Sequence, residues 1–287
     1  MVTLSEIHRE GTKMFIKAGL KSPAFDSLCL MGKVFGIENR VQLAIRGNET
    51  ADDSKAALFL SLCRERLNRP LQYILGAWEF DGMSLSCGEG VLVPREDTMT
   101  LVEAAQTALK GTERANILDL CAGTGAVGIA LARRLPGSKC TCVELSEKAM
   151  PYLKENIARF APDSVTAVKA DVLCEPAFGK NSFDAIVSNP PYIRTDVIPT
   201  LDTDVRKEPE MALDGGADGL VFYRAILEKW LCLLMSGGTL AVEIGYDQAE
   251  EVTKLFKDAG LYNVRCIRDM SGSNRTIIGT YLYDNQK

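Results

Sequence analysis

The residues of this chain best suited to chemistry lie in Ser188-Asn189-Pro190-Pro191-Tyr192, directly after the apolar run Phe183-Asp184-Ala185-Ile186-Val187. The run reads as a strand. Pro190 and Pro191 lack a backbone N–H and have a fixed φ, so a sheet cannot continue through them. Asn189 is pushed towards an extended conformation by the proline that follows it. The spacing predicts a stiff turn at the carboxyl end of a strand. Such a turn presents an amide oxygen, a backbone carbonyl and an aromatic face to one small planar group. A bare Pro-Pro would be read as a turn closing an αβ unit; Asn189 and Tyr192 gain meaning only from the rest of the sheet.

A second set of residues lies upstream. Ile117-Leu118-Asp119-Leu120 reads as a strand that runs into Cys121-Ala122-Gly123-Thr124-Gly125 and then a helix through Arg134. Gly123 to Gly128 matches G-x-G-x-x-G, and Glu144 follows at about the spacing of a ribose-binding acid, so spacing alone permits a nicotinamide dinucleotide. Glycine there allows close backbone approach to a ligand, and a helix N-terminus suits pyrophosphate. Asp119 argues otherwise, because its charge repels pyrophosphate and welcomes an ammonium or sulfonium. The Asn-Pro-Pro-Tyr turn also has no evident part in hydride transfer. S-adenosylmethionine fits better: Glu144 and Asp171 bracket its adenosine, and Asp119 meets its cationic methionine tail.

The elements that must position these groups alternate strand and helix from Asn116 onward, which predicts a parallel sheet covered on both faces. Strands are expected at 117–120, 140–143, 165–168, 183–187 and 240–244. Helices are expected through Arg134, from Ser146 to about Phe160 and from Gln248 to Ala259. Val264–Ile267 and Thr276–Tyr283 are expected as a terminal antiparallel pair. Upstream, Thr3 and Glu6 form a capping box, and four short helices are expected: after Thr3, from Ser22-Pro23 with Phe25, Leu28 and Cys29 on its inner face, over 39–45 and over 52–67. Arg64, Arg66 and Arg69 read as favourable charge at a helix C-terminus. Gln72 to Val93 reads as strand-like pieces around the Asp81-Gly82 turn, and a helix follows from Met99 to about Lys110. The division is thus 1–71 helical domain, 72–93 β-hairpin connector and 94–287 sheet domain.

Composition narrows the class. At 287 residues, 46% hydrophobic and 25% charged, the chain suits a globular protein of about two domains. A net charge of −5 argues against gripping long stretches of nucleic acid. Nine cysteines, none spaced as Cys-x-x-Cys, with Glu6, Arg9 and Glu10 where a signal peptide needs apolar residues, point to the reducing cytoplasm. Cys140 and Cys142 read as small core residues, and no metal site or membrane span is expected.

These residues resemble the class I methyltransferases that modify a glutamine side-chain amide in peptide chain release factors. The resemblance covers nearly the whole chain. It is carried by Arg69 to Gly76, by Val93-Pro94-Arg95-Glu96-Asp97-Thr98, by the Gly123 loop, by Asn189-Pro190-Pro191-Tyr192 and most specifically by Glu208 to Leu220. Glu243-Ile244-Gly245, Gln248 and Gly272 to Arg275 extend it. Where the family more often reads Gly-Thr-Gly-Thr-Gly, Cys121-Ala122 replaces the first two residues. Glu144 stands where Asp is commoner, and Val172 where an aromatic often stacks on adenine.

The resemblance implies an α/β fold: a small N-terminal helical bundle that helps recognise the release factor, a β-hairpin connector, and a Rossmann-like class I methyltransferase domain. That domain would hold a mostly parallel seven-stranded sheet with a terminal antiparallel strand. It implies N5-methylation of the glutamine of a Gly-Gly-Gln loop, with S-adenosylmethionine held by Asp119, Cys121, Ala122, Gly123, Thr124, Gly125, Glu144, Asp171, Val172 and Asn189. The Asn189 side-chain oxygen and the Pro190 carbonyl would accept the two amide N–H bonds, Tyr192 would pack on the flat amide, and Pro191 would help fix the geometry. His8, the only histidine, is given no catalytic role. A monomer without stable nucleic-acid binding is expected. The competing readings are N6-methylation of adenine, a dehydrogenase resting on the glycine loop, and a non-enzymatic docking module.

Overall fold

The structure, a computed structural model, describes residues 2–282. It divides into two compact units, Met1–Ala77 and Trp78–Lys287.

In the first unit, Thr3 and Glu6 close the expected capping box: the Glu6 N–H donates to Thr3 Oγ1 at 3.3 Å and the Thr3 N–H to Glu6 Oε2 at 2.8 Å. They open α1 (Leu4–Lys17), and α2 (Pro23–Phe35), α3 (Arg40–Arg46) and α4 (Asp53–Arg66) follow. Ile7, Phe15, Leu30, Met31 and Phe59 form the buried centre. The inner face of α2 differs from the expected one. Phe25 is 50% exposed, whereas Asp26, Ser27, Leu30 and Met31 point inward. The reason is electrostatic. Arg66 follows Phe59 and Cys63 on the buried face of α4, and its Nε lies 2.8 Å from Asp26 Oδ2, so the helix turns its acid inward to neutralise a buried guanidinium. Arg66 is therefore not an exposed helix-end charge; Arg69 instead pairs with Glu65.

Leu71–Leu75 is a short helix, α5, rather than a strand-like piece. Pro70 precedes it and Gly76 ends it in the left-handed region, the usual punctuation of a helix. The hairpin is correspondingly shorter: β1 (Ala77–Phe80) and β2 (Met83–Ser86) turn at Asp81 and Gly82, both with positive φ. Val91–Val93, expected as a strand-like piece, is a bend followed by irregular chain and belongs to no strand.

The second unit continues through α6 (Met99–Ala108), β3 (Asn116–Leu120), α7 (Ala126–Arg134), β4 (Lys139–Glu144), α8 (Met150–Phe160), β5 (Val165–Lys169) and β6 (Phe183–Ser188). Next come α9 (Val221–Ala225), β7 (Leu234–Glu243), α10 (Ala249–Asp258), β8 (Tyr262–Arg268) and β9 (Asn274–Thr280). The seven strands of the main sheet lie in the order β5-β4-β3-β6-β7-β9-β8. All pairings are parallel except those of β9, which runs against both neighbours. Tyr283, the expected end of the last strand, lies outside the described residues.

Alternation along each strand sends Ile117 and Val187 to one face, against Leu101, Ile129 and Leu153, and Leu118 and Ile186 to the other, against Tyr223, Trp230 and Phe256. Tyr223 and Trp230 belong to α9 and the π turn after it, a segment to which the sequence assigned no element. Among the described residues no helix is long and apolar enough to cross a membrane.

One buried amide ties hairpin to sheet. Asn156 on α8 accepts from the Ser86 N–H at 2.7 Å and donates to Ser86 O and Thr124 O, both at 3.0 Å. Its replacement by alanine leaves those groups unpaired in the interior and should cost about 2–4 kcal/mol, read as a lower urea midpoint at unchanged slope.

Candidate active site

The chain enters the sheet at β3, builds outward to β5, and returns to place β6 on the other side of β3. Where the direction of winding reverses, the strand ends leave a crevice. The register pairs Ser188 with Leu120 on one side and Val242 on the other, and the Ser188 hydroxyl donates to Leu120 O at 2.7 Å. Asn189 therefore follows at the mouth of the crevice, between the residues that follow β3 and the end of β7. Its Nδ2 donates to Thr98 Oγ1 at 3.2 Å, which turns Oδ1 the other way. Among the described residues nothing donates to Asn189 Oδ1 or to the Pro190 carbonyl.

A cavity of about 400 Å³ opens here. Asp119, Cys121, Ala122, Gly123, Thr124, Glu144, Asp171, Val172, Asn189 and Pro191 line it, so most of the residues named from sequence come together. Gly125, Pro190 and Tyr192 do not line it. Gly125 takes positive φ at the start of α7, where it shapes the loop from behind. Pro190 is buried. Tyr192 packs against the sheet core, with its hydroxyl 3.3 Å from Glu243 Oε1 and its carbonyl accepting from Gln248 Nε2 at 3.0 Å.

The acids are placed in distinct ways. Asp119 is 1% exposed, and both its hydrogen bonds, from Gly128 N–H at 2.8 Å and Cys142 Sγ at 3.7 Å, arrive at Oδ2. Oδ1 is left for a ligand. Burial pushes the Asp119 carboxyl up to about 7, against the Gly128 and Cys142 donors that hold it down, with Glu144 nearby adding to the rise. Gly128 is required by this approach, since a Cβ there would meet Cys142 Sγ at 2.5 Å and Asp119 Oδ2 at 3.0 Å. Glu144 accepts the Gly123 N–H on Oε2 and the Ser146 N–H on Oε1, both at 2.7 Å, leaving one lone pair free on each oxygen. Two adjacent hydroxyls would suit it. Cys121 stands in the left-handed region at φ 60°, the conformation that a glycine takes freely.

Other residues of the site were given no role in the sequence, although Glu208, Val93 and Arg95 lie in segments that carry the resemblance. Leu145 and Leu173, 40% and 39% exposed, follow the acids of β4 and β5 and line the cavity with apolar surface, while the Val172 side chain is buried in the core beneath. Glu208 is buried, with Oε2 accepting the Val93 N–H at 2.9 Å and Oε1 paired with Arg95. It joins two cavity-lining segments, Gly90 to Arg95 and Pro209 to Gly216. Burial raises its proton affinity, and Arg95 and the Val93 N–H oppose the rise. Leu after Glu144 or Asp171 could have been found by asking what flanks a planar ring; the Glu208 contact, 115 residues distant from Val93, leaves no local signal.

Two family models match the chain, the PrmC N-terminal domain over residues 6–76 and the methyltransferase small domain over 96–208. The release factor glutamine methyltransferase of Clostridium botulinum is 38% identical over 276 residues, covering 96% of this chain and 98% of that one. The chain belongs to the release factor glutamine methyltransferases. The Geobacter sulfurreducens member is 36% identical over 263 residues, covering 91% of this chain and 90% of its own. Among solved structures, the hMettl16 catalytic domain in complex with MAT2A 3'UTR hairpin 1 is similar in fold, with TM-score 0.62 and 16% identity over 92% of this chain and 93% of that one.

Asp119 gives this methyltransferase a testable liability. Its folded carboxyl titrates at about 7 against an ordinary value near 3.8. Between those values the folded state keeps a proton that the unfolded state releases, so stability from this group is present below about pH 4 and lost as pH rises to 7. Asp119→Asn should remove a few kcal/mol of that slope, measured as urea unfolding of both proteins at pH 5 and pH 8.

Proposed function

We propose that the chain transfers a methyl group from S-adenosylmethionine to the side-chain amide nitrogen of a glutamine in a peptide chain release factor, in its Gly-Gly-Gln loop. The observation that carries this reading is Asn189 on the cavity wall, with Nδ2 tied back to Thr98 and Oδ1 left without a donor; the Pro190 carbonyl is the second acceptor that the reading requires. Family membership supports it.

The residues present fit the cofactor. Asp119 Oδ1 is free to meet an ammonium, Glu144 can take two ribose hydroxyls, and Leu145 and Leu173 offer faces for adenine above Val172, with Asp171 at its edge. Cys121 to Gly125 lets the backbone come close. S-adenosylmethionine, when bound, supplies a methyl group activated by its sulfonium. The same features oppose a dinucleotide, because Asp119 lies beneath the glycine loop and Glu144 already takes the Gly123 N–H.

An amide nitrogen is a weak nucleophile because its lone pair is delocalised into the carbonyl. It needs no full deprotonation if both N–H bonds point at acceptors and the lone pair is aimed at the methyl. Asn189 Oδ1 and the Pro190 carbonyl supply those acceptors, and the two prolines hold them without reorganisation. Tyr192, anchored at both ends, braces the turn and fixes where the amide plane can lie. Leu92, Val93, Pro209 and Met211 line the same cavity and give the reacting pair an apolar wall. The reading includes a monomeric chain working in the cytoplasm without stable hold on nucleic acid, in keeping with the net charge of −5.

Asn189→Ala should lower kcat for labelled-methyl transfer to a purified release factor by about 100-fold. Affinity for S-adenosylmethionine should change by less than about threefold, since Asp119 and Glu144 remain. Transfer at the wild-type rate by this variant would remove Asn189 from the chemistry.

A further inference from the structure

Neither proline of the acceptor turn has an N–H to donate, so the turn is held from its two ends. The upstream end is fastened by Ser188 and by the contact of Asn189 with Thr98. At the downstream end, Tyr192 is fastened by a side chain that the reaction, as derived above, does not use. Gln248 stands at the N-cap of α10, and its Nε2 donates to Tyr192 O at 3.0 Å and to Gly219 O at 3.2 Å. Its Oε1 accepts from the Gly245 N–H at 2.9 Å, and its own backbone N–H donates to Gly245 O at 3.0 Å. The Tyr223 hydroxyl, which donates to the Glu243 carbonyl at 2.9 Å, lies 3.3 Å from the same Oε1.

These partners fix the polarity of the amide. A backbone N–H requires the oxygen, and two carbonyls require the NH2, so Gln248 has a single orientation. Its two N–H bonds reach different segments. One is the acceptor turn; the other is the segment from Glu208 to Leu220, whose Asp214 and Gly216 line the cavity. The two segments run in close contact, with the Ile193 N–H donating to Leu213 O at 2.9 Å and the Gly215 N–H to Ile193 O at 2.8 Å. A Cβ on Gly215 would meet Tyr192 Cα at 2.8 Å, and one on Gly219 would meet Tyr192 O at 2.5 Å. Glycine at both positions therefore lets the backbones meet. Tyr192 O and Gly219 O converge on one nitrogen, where the like ends of two dipoles repel unless a donor stands between them.

Resting on the functional reading above, we propose that Gln248 is a positioning residue: its NH2 clamps the Tyr192 carbonyl to the Gly219 carbonyl and thereby sets the direction of the Pro190 carbonyl, the acceptor of the second substrate N–H. With φ fixed in both prolines, that direction depends on ψ at Pro190, which is settled by where the chain is held on either side. The two halves of the Gln248 amide have separate roles. Oε1 fastens the start of α10, and Nε2 holds the turn. Gln248→Glu keeps an oxygen for the Gly245 N–H, and an acid suits a helix N-terminus, but it replaces the donor by a second acceptor that repels both carbonyls. Gln248→Met keeps the length of the side chain and removes both halves.

The test has a kinetic and an exchange arm. With S-adenosylmethionine and a purified release factor, Gln248→Glu and Gln248→Met should each lower kcat about tenfold or more, with KM for S-adenosylmethionine within about twofold. A role confined to the start of α10 would spare Gln248→Glu. In the free protein, the Ile193 and Gly215 N–H groups should exchange with solvent about tenfold faster in both variants, while those of Ala241 and Ile278 in the main sheet are unchanged. Gly219→Ala, which drives a Cβ against Tyr192 O and Gln248 Nε2, opens the same contact from the opposite side and should reproduce both effects. It carries the test if neither Gln248 variant folds. Wild-type kcat in Gln248→Glu, or unchanged exchange at Ile193 and Gly215, would overturn the proposal. If the wild-type protein methylates no glutamine, the functional reading fails, and exchange still decides whether Gln248 holds the turn.

Discussion

The structure depends on one register. Ser188 is paired with Leu120 and Val242 and fastened to Leu120 O by its own hydroxyl. The next residues cannot extend the ladder, because Pro190 and Pro191 have no N–H to give. A central strand, gripped from both sides, is thus stopped at a fixed residue, and Asn189 lies where the winding of the sheet reverses. A slip by one residue would turn Asn189 to the opposite face. The crevice and the place of Asn189 at its mouth both follow from that stop.

Around this fixed turn the chain collects negative charge. Asp119, Glu144, Asp171 and Glu243 stand at or just beyond the ends of β3, β4, β5 and β7, and Asp119 and Glu243 are almost wholly buried. Burial disfavours their charged forms, and the raised proton affinity of both groups expresses it, at Glu243 in spite of Arg275. The ligand best matched to such a site carries positive charge into it, so the fold keeps an electrostatic deficit that a cationic cofactor relieves. Hydrogen bonds limit the deficit: Gly128 and Cys142 at Asp119, Gly123 and Ser146 at Glu144.

Much of this was legible in the sequence because it is local. Apolar runs ending in Asp119, Glu144 and Asn189 mark strand ends, and their order predicts the parallel sheet. The departures come from long-range contacts. Leu71–Leu75 is too short for its period to separate helix from strand, and the flanking Pro70 and Gly76 decide it. The inner face of α2 is set by Arg66, 40 residues away. Tyr192 turns to Glu243 instead of lining the cavity, and Thr98 reaches Asn189 across 91 residues. Position within a motif shows that a residue is near the site; only the packed structure shows which way its side chain faces.

The most direct test of the account is to locate the methyl group by tandem mass spectrometry, after incubating a purified release factor with the protein and S-adenosylmethionine. The account predicts one added methyl on the side-chain amide of the glutamine in the Gly-Gly-Gln loop, and none when that glutamine is replaced by alanine. A methyl on another residue, or on added RNA or DNA with the release factor unmodified, would contradict it.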